Sequence, residues 1–270
     1  MTNPTMPELT LWLAFRGNEL LVNSDNLSFP RCAELIELDL VAQESHRLVH
    51  DDGGNVVVVR LADTAQAPEG YHFQSLRALL TQINQAHFSL AGTAAQILEW
   101  SRNHRFCSRC GTATVPHAQG ERALVCPSCH FSQYPRINPC VIVAITKDDS
   151  ILLARALRFN RPMYSLLAGF VEAGETLEQA VAREVAEESG IQVKNIRYYA
   201  SQSWPFPNNL MLAFSAEWAS GDIVIQEDEL LDAQFFRFDQ LPEIPPSGSI
   251  AHQLIQATVS ELSKKYAHPR

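Results

Sequence analysis

The chain has 270 residues, of which 46% are hydrophobic and 19% charged, a composition typical of a globular protein with two or three domains. Its formal net charge is −9, from 21 basic and 30 acidic side chains, which excludes an overall basic surface for nucleic acid. No apolar run approaches about 18 residues, and no basic segment opens the N-terminus. We therefore expect neither a membrane-spanning helix nor a secretory signal, and hence a cytoplasmic protein.

The charge is unevenly distributed along the chain. Residues 1–100 carry five arginines and twelve acidic residues, and residues 137–270 carry eleven basic and seventeen acidic residues. Between them, residues 101–136 carry five arginines and one glutamate. The sequence therefore predicts a small basic module between two acidic ones.

Hydrophobic periodicity and turn residues predict the secondary structure in chain order. The predicted elements are strands at 8–23 and 54–62, a helical segment at 74–102 with a break at Gly92, strands at 140–146 and 151–154, a helix at 177–188, strands at 196–203, 210–218 and 233–238, and a closing helix at 248–265. No internal repeat is visible in the sequence.

Four of the six cysteines form two pairs with metal-ligand spacing: Cys107-x-x-Cys110 and Cys126-x-x-Cys129. Such pairs place four thiolates around one tetrahedral ion, which predicts a structural Zn²⁺ with no position left for water. The alternative is four unrelated thiols. Cys32 stands alone, and Cys140 opens an apolar strand pattern that predicts a buried, unreactive thiol.

A helix rich in carboxylates is predicted after Thr176. Thr176 and Gln179 have the capping-box spacing, and Gly190 is a suitable C-terminal stop. At 100° per residue, Glu184 and Glu188 fall within the apolar stripe of this helix, with Glu187 at its edge.

Two carboxylates about 4 Å apart in a partly desolvated place repel by about 4 kcal/mol, so a cation must neutralise them. Oxygen ligands of this kind favour Mg²⁺ or Mn²⁺ over zinc. The alternative is an ordinary surface helix with an Arg183–Glu187 ion pair.

The same stretch resembles the Nudix box, G-x5-E-x7-R-E-aliphatic-x-E-E-x-G-aliphatic, at every fixed position. The matching residues are Gly169, Glu175, Arg183, Glu184, Val185, Glu187, Glu188, Gly190 and Ile191. The resemblance implies an α/β/α sandwich around a mixed sheet and hydrolysis of nucleoside diphosphates linked to another moiety.

A four-cysteine ribbon directly before a Nudix domain, and the segment from Tyr134 to Ile145, resemble the NADH pyrophosphatase branch of this superfamily. The segment Ser201–Met211, SQSWPFPNNLM, resembles the S-Q-P-W-P-F-P-x-S array of that branch. Ser203 stands where the array has proline, and Asn209 stands where it has serine. The resemblance is weak over residues 1–70.

The resemblance implies roles for individual residues. The implied catalytic residues are Glu175, Arg183, Glu184, Glu187 and Glu188. The implied ligands of two or three Mg²⁺ or Mn²⁺ ions are the Ala168 carbonyl, Glu184, Glu188 and Glu229. The implied substrate contacts are Arg77, Glu121, Tyr134, Phe170, Gln202, Ser203, Trp204, Pro205, Phe206, Pro207, Asn208, Asn209 and Ala251, with Tyr134 acting across a homodimer.

We therefore expect an N-terminal α+β domain over 1–102, a zinc ribbon over 103–136 and a Nudix α/β/α sandwich over 137–270. The expected activity is hydrolysis of NAD(H) to nicotinamide mononucleotide and AMP, with removal of NAD caps from RNA as a second activity. Two alternatives remain: a Nudix hydrolase of ADP-ribose or dinucleoside polyphosphates, and an inactive zinc-ribbon protein that binds nucleic acid.

Overall fold

The computed structural model describes residues 9–48, 54–157 and 161–266. The chain divides into two compact units, Met1–Arg136 and Ile137–Arg270. Among the described residues, no helix combines the length and the apolar character that crossing a membrane requires.

Over its described residues, 9–48 and 54–136, the first unit contains a six-stranded sheet and two helices. Its elements are β1 (Thr10–Arg16), β2 (Glu19–Asn23), β3 (Arg31–Cys32), a 3₁₀ turn (Leu35–Leu38), β4 (Ala42–Leu48), β5 (Val56–Leu61), β6 (Tyr71–Ser75), α1 (Leu76–Leu79) and α2 (Gln85–Asn103). The strand order is β4-β5-β1-β2-β6, with β3 also pairing with β1. Strands β1 and β5 are parallel, and the other neighbours are antiparallel.

Glu44 of β4 joins this sheet to the end of α2. Its carboxylate pairs with Arg60 of β5 and lies 2.7 Å from His46 Nε2, and Arg60 also donates to the Leu98 carbonyl of α2. Burial raises the pKa of Glu44, but hydrogen bonds from His46 and Ser101 and the charge of Arg60 outweigh it and lower the pKa to about 2. The carboxylate therefore stabilises the folded unit as an anion.

We expect Glu44→Gln to lower the free energy of unfolding by about 2 kcal/mol at neutral pH, because it removes charge-assisted hydrogen bonds. The Glu44 and Arg60 side chains that make them are only 25% and 22% exposed. The folded pKa of about 2 lies below the ordinary 4.5, so the stabilisation is complete above pH 4.5 and is lost as the pH falls toward 2. Thermal unfolding across this pH range measures it. Glu19→Gln, which breaks a more exposed pair with Arg16, is the control and should cost under about 0.5 kcal/mol.

A small three-stranded sheet follows α2. Its strands are β7 (Val115–Pro116), β8 (Leu124–Val125) and β9 (Ser132–Gln133), antiparallel in that order. Strands of two residues bury little apolar surface, so this segment depends on another source of stability.

The second unit contains another six-stranded sheet. Its elements are β10 (Asn138–Lys147), β11 (Ser150–Ala156), β12 (Leu167–Phe170), α3 (Leu177–Ser189), β13 (Gln192–Trp204), β14 (Asn209–Ser220), β15 (Leu230–Arg237) and α4 (Ile250–Tyr266). Helix α3 packs on one face of the sheet through Ala180, Val181 and Val185. Helix α4 covers the other face through Leu254 and Ile255. This arrangement confirms the predicted α/β/α sandwich around a mixed sheet.

The two large sheets have the same topology. In the second unit the order is β13-β14-β10-β11-β15, with β12 also pairing with β10, and only β10 and β14 are parallel. Each strand therefore corresponds to one in the first unit in chain order, and the 3₁₀ turn Leu35–Leu38 occupies the chain position of α3. The chain contains a structural repeat, although no repeat is visible in its sequence.

The predicted elements agree with the structure where periodicity is strong and fail where it is weak. The predicted break at Gly92 is wrong, because this residue lies inside the continuous helix α2. The predicted strand 8–23 is two strands joined at Gly17, which has φ +56°, and residue 8 lies outside the described residues. The short or half-exposed strands at 42–48, 71–75 and 167–170 were not predicted.

Candidate functional site

The four paired cysteines converge in the small sheet. Their sulfur atoms all lie within 4.8 Å of one another, and three separations are 3.4–3.6 Å. The turns at the two cysteine pairs have the same geometry. The Gly111 N–H donates to the Cys107 carbonyl, and the His130 N–H donates to the Cys126 carbonyl. Gly111 and His130 both have positive φ, +74° and +58°.

This cluster fits Zn²⁺. A tetrahedral ion with bonds of about 2.3 Å to sulfur separates the sulfurs by about 3.8 Å, close to the spacing found. Backbone N–H groups of Arg109 and Cys129 point at the Cys107 and Cys126 sulfurs, each at 3.4 Å, which favours thiolates. The alternative of four unrelated thiols is excluded.

Helix α3 begins and ends as its sequence predicts. Thr176 and Gln179 form the reciprocal capping box, and Gly190 ends the helix in the left-handed conformation. Glu188 is buried at 6% exposure, although its side chain is acidic. Glu184 is 14% exposed, whereas Glu187 at the edge of the stripe is 54% exposed. The predicted placement of two carboxylates among apolar side chains is therefore confirmed.

Arg183 holds this part of the helix to the preceding loop. Its guanidinium donates to Glu175 at 2.6 and 2.9 Å, to Glu184 and Glu187 at 2.9 Å, and to the Phe170 carbonyl at 2.8 Å. Hydrogen bonds from Arg183 and from the Glu172 N–H lower the pKa of Glu175 to about 2. Glu175 is thus a fixed anion that anchors both the loop and the arginine.

Glu184 lies against the backbone of β12. Burial raises its pKa, and this effect exceeds the opposing hydrogen bond and charge of Arg183, while Glu187 and Glu229 add repulsion. A Cβ atom at Gly169 would overlap the Glu184 carboxylate. Glycine is therefore required at position 169 by this close approach.

We expect Gly169→Ala to lower kcat about a hundredfold with little change in unfolding temperature, because the added methyl group displaces the end of the Glu184 side chain rather than backbone. Steady-state kinetics and thermal unfolding measure the two effects. In a Glu184→Ala background the same substitution should cost no further activity, since the displaced group is gone. An equal loss in both backgrounds would contradict this role.

A small cleft beside α3 brings together three of the predicted metal ligands. Ala168, Glu188 and Glu229 line it, together with Leu230 and Ser165. The backbone of residues 224–226 holds the Glu229 loop to the end of α3 through the Ser189 and Glu188 carbonyls. Oxygen donors of this kind fit Mg²⁺ or Mn²⁺. Among the described residues, the four cysteines are the only group of three or more His, Cys, Asp or Glu side chains whose ligand atoms all lie within 4.8 Å of one another.

Several predicted substrate residues lie in one row across the sheet, on the face that α4 covers. Phe170 of β12 is opposite Cys140 of β10, which is opposite Met211 of β14, which is opposite Gln202 of β13. Phe170 is 52% exposed, which leaves its ring available for stacking. Ala251 packs against the same face from α4.

Gln202 has a structural partner that was not expected. Its amide donates to the Gly248 carbonyl at 2.8 Å and accepts from the Ile250 N–H at 2.7 Å. The side chain therefore caps α4, and both ends of its amide are committed to the protein. These bonds give Gln202 a role in positioning α4, and its direct contact with substrate stays a prediction.

The next row along the sheet contains Asn138, Asn209 and Trp204 as successive partners on β10, β14 and β13. Asn138 was not predicted; its only sequence signal is its position at the start of β10. Residues Pro205, Phe206, Pro207 and Asn208 form the turn between β13 and β14. The rings of Trp204 and Phe206 make a T-shaped pair with centroids 5.2 Å apart. Ser203 points to the opposite face and is exposed.

Three predicted substrate contacts lie in the first unit. Arg77 is exposed on α1, and Tyr134 is exposed just after β9. Glu121, between β7 and β8, lies 3.8 Å from His117 Nε2. Their part in substrate binding stays a prediction.

Three family descriptions match consecutive parts of the chain. Residues 9–100 match the NADH pyrophosphatase-like rudimentary NUDIX domain, 102–134 the NADH pyrophosphatase zinc ribbon domain, and 136–257 the NUDIX domain. The first match agrees with the repeated sheet topology. The domain boundaries expected from sequence, 1–102, 103–136 and 137–270, stay predictions.

Relatives resemble nearly the whole chain. Proteins named NAD-capped RNA hydrolase NudC are 46% identical in Pseudomonas syringae pv. tomato, over 90% of this chain and 86% of theirs, and 43% identical in Escherichia coli, over 94% and 95%. A crystal structure of a Nudix hydrolase from Nitrosomonas europaea matches with a TM-score of 0.52 and 26% identity, over 61% of this chain and 94% of that one. The chain therefore belongs to the Nudix hydrolase family, in the branch with an NADH pyrophosphatase zinc ribbon.

Proposed function

We propose that this protein hydrolyses the pyrophosphate bond of NAD(H), which gives nicotinamide mononucleotide and AMP. The observation that carries the proposal is the arrangement of the second unit. Phe170 and Trp204 lie on one face of a sheet whose strand β12 also supplies Ala168 to the carboxylate-lined cleft. A substrate with two rings joined by a pyrophosphate needs both features close together.

Glu184, Glu188, Glu229 and the Ala168 carbonyl would hold Mg²⁺ or Mn²⁺, with Glu187 as a further candidate ligand. When bound, such ions neutralise phosphate oxygens and acidify a water molecule that attacks phosphorus. The chain itself supplies positioning. Arg183 fixes Glu184 and Glu187 through its hydrogen bonds, and Glu175 fixes Arg183.

The aromatic side chains of the same unit would bind the rings. Pro205 and Pro207 stiffen the backbone beside Trp204 and Phe206, and a base can stack on these two rings. By resemblance to the family, Phe170 and Tyr134 would hold the nicotinamide, with Tyr134 supplied across a homodimer. The homodimer, the number of ions and a cytoplasmic location are parts of the same proposal.

NAD-capped RNA is the second proposed substrate, because the relatives named above are called NAD-capped RNA hydrolases. The end of α2 and the zinc ribbon carry exposed arginines at positions 102, 105 and 109, which suit an RNA backbone. Arg102 pairs with Glu99, and Arg109 stacks 4.6 Å over Phe131, so both side chains are oriented at the surface.

Neutralising Arg102, Arg105 and Arg109 to glutamine should weaken the binding of NAD-capped RNA and reduce the slope of log affinity against log salt by about 2. Fluorescence anisotropy across a salt series measures this slope. Hydrolysis of free NADH should be unchanged by the triple substitution. An unaltered salt slope would count against RNA contact at the ribbon.

The decisive experiment compares NADH, NAD-capped RNA and ADP-ribose side by side with Mg²⁺ or Mn²⁺. Mass spectrometry should find reduced nicotinamide mononucleotide and AMP from NADH, and 5′-monophosphate RNA from the capped RNA. Preferential cleavage of ADP-ribose would favour the alternative Nudix activity. Absence of any cleavage would favour the alternative of an inactive binding protein.

A further inference from the structure

Ser165 places a hydroxyl group in the cleft that Ala168, Glu188 and Glu229 line. Its side chain points toward α3, because Ser165 is the bridge partner of Ala154, and Ala154 packs in the core on the α3 face of the sheet. Ser165 is only 8% exposed, so its hydroxyl is largely removed from bulk water. The cleft therefore holds a buried polar group in addition to the expected metal ligands.

The Ser165 hydroxyl makes no hydrogen bond with a described residue. The backbone N–H and carbonyl of Ser165 both pair with Ala154 at 2.8 Å, but the side chain is not part of these bonds. The hydroxyl oxygen is also not one of the fully enclosed side-chain atoms without a partner, so it keeps some accessible surface. Buried hydroxyl groups are nearly always paired, and the open side of this one is the cleft.

A water molecule fits between this hydroxyl and the carboxylates. Ser165, Glu188 and Glu229 line one small cleft, yet neither carboxylate is hydrogen-bonded to the hydroxyl. Polar groups that share a cleft without direct contact are commonly bridged by water, and this cleft has room for about one or two molecules. The other side chains that line it are apolar: Ala154, Ala156, Leu166, Leu167 and Leu230.

We propose that Ser165 is a positioning residue whose hydroxyl holds a water molecule bound to the divalent ion of this cleft. The inference rests on the proposed function. Mg²⁺ requires six ligands and keeps several waters where few carboxylates bind it. Those waters donate hydrogen bonds, and a serine hydroxyl accepts one while it donates its own hydrogen. The bond fixes the hydration shell of the ion and so strengthens ion binding, without contact between Ser165 and the substrate.

The test measures Mn²⁺ binding to the full chain without substrate, by electron paramagnetic resonance of the free ion. Ser165→Thr keeps the hydroxyl, whereas Ser165→Val has nearly the same volume and lacks it. Ser165→Ala removes the hydroxyl without adding volume. Ser150→Ala is the matched control, because Ser150 also lies on the second sheet and its hydroxyl bonds to Asp149 at 2.9 Å.

We expect Ser165→Ala and Ser165→Val to weaken Mn²⁺ binding by about tenfold or more, since loss of a group that orients a metal ligand typically costs 10–100-fold in metal affinity. Ser165→Thr and Ser150→Ala should bind Mn²⁺ as the native protein does. Without Mn²⁺, Ser165→Ala should not lower the unfolding temperature, because its hydroxyl has no protein partner to lose. At saturating Mn²⁺ the KM for NADH should be unchanged.

Three results would overturn the inference. One is native Mn²⁺ affinity in both the Ala and Val variants. Another is an equal loss in the Thr and Val variants with a lower unfolding temperature, which indicates a packing role. The third is a crystal structure with Mg²⁺ in which Ser165 Oγ binds the ion directly at about 2.1 Å, where we expect a water between them.

The titration also separates this inference from the proposed function. If the native protein binds Mn²⁺ but cleaves no dinucleotide, the proposed function fails, and the Mn²⁺ affinities of the variants still decide the role of Ser165. A native protein that binds no Mn²⁺ would reject both.

Discussion

Replacing Glu188 by glutamine is expected to lower kcat for NADH hydrolysis by about 10³-fold or more. Glu188 combines burial at 6% exposure with a place in the wall of the Ala168–Glu229 cleft. Glutamine keeps the shape of the side chain but removes its negative charge, and removal of one preorganised electrostatic group typically costs 10²–10³ in rate. Loss of a metal ligand adds to that cost.

The measurement is product formation at saturating Mn²⁺, paired with thermal unfolding at increasing Mn²⁺. Mn²⁺ should stabilise the native protein in proportion to its binding, and this stabilisation should be much reduced in Glu188→Gln. Glu178→Gln, an exposed residue in the first turn of the same helix, is the matched control and should behave like the native protein. Retained hydrolysis by the Glu188 variant would remove the basis for the proposed metal chemistry.

Replacing Cys126 by serine is expected to release zinc and unfold the ribbon. Cys126 is fully buried, and its sulfur is 3.4 Å from that of Cys110. The strands of this sheet have two residues each, so little apolar packing supports them. Structural zinc supplies about 10–16 kcal/mol of apparent binding energy in such segments, and that energy is folding energy.

Zinc content by mass spectrometry of the purified protein should fall from one ion per chain to well below one. Resistance to proteolysis over residues 105–133 should fall with it. Cys32→Ala, a buried thiol outside the cluster, should keep its zinc. A native protein that keeps its unfolding profile after complete chelation would contradict the structural role of the ion.

The local motifs of this protein could be predicted from its sequence alone. The two cysteine pairs and the capping box of α3 each depend on residues within about four positions, where backbone geometry alone sets which groups meet. The helical projection also placed Glu184 and Glu188 in the apolar stripe, because side chains at i and i+4 share a face.

The repeated sheet topology of the two units could not be predicted from such local motifs. The first unit has the strand order of the second but lacks the Nudix box, and a single 3₁₀ turn stands where α3 would be. A search for sequence motifs cannot find this repeat, because the first unit does not contain the Nudix box. Backbone pairing preserves the topology through many different sequences, so the strand order reveals the repeat, in agreement with the match of residues 9–100 to a rudimentary NUDIX domain.

The sequence by itself determined the zinc ribbon, the carboxylate helix and the class of chemistry, because each is encoded by short, regular spacing. Only the tertiary structure decided which distant residues meet: Gln202 with the start of α4, and Asn209 with Asn138 of β10. These meetings depend on strand register, and a shift of one residue would turn each side chain to the opposite face. Register is set by packing across the whole sheet, which no local pattern contains.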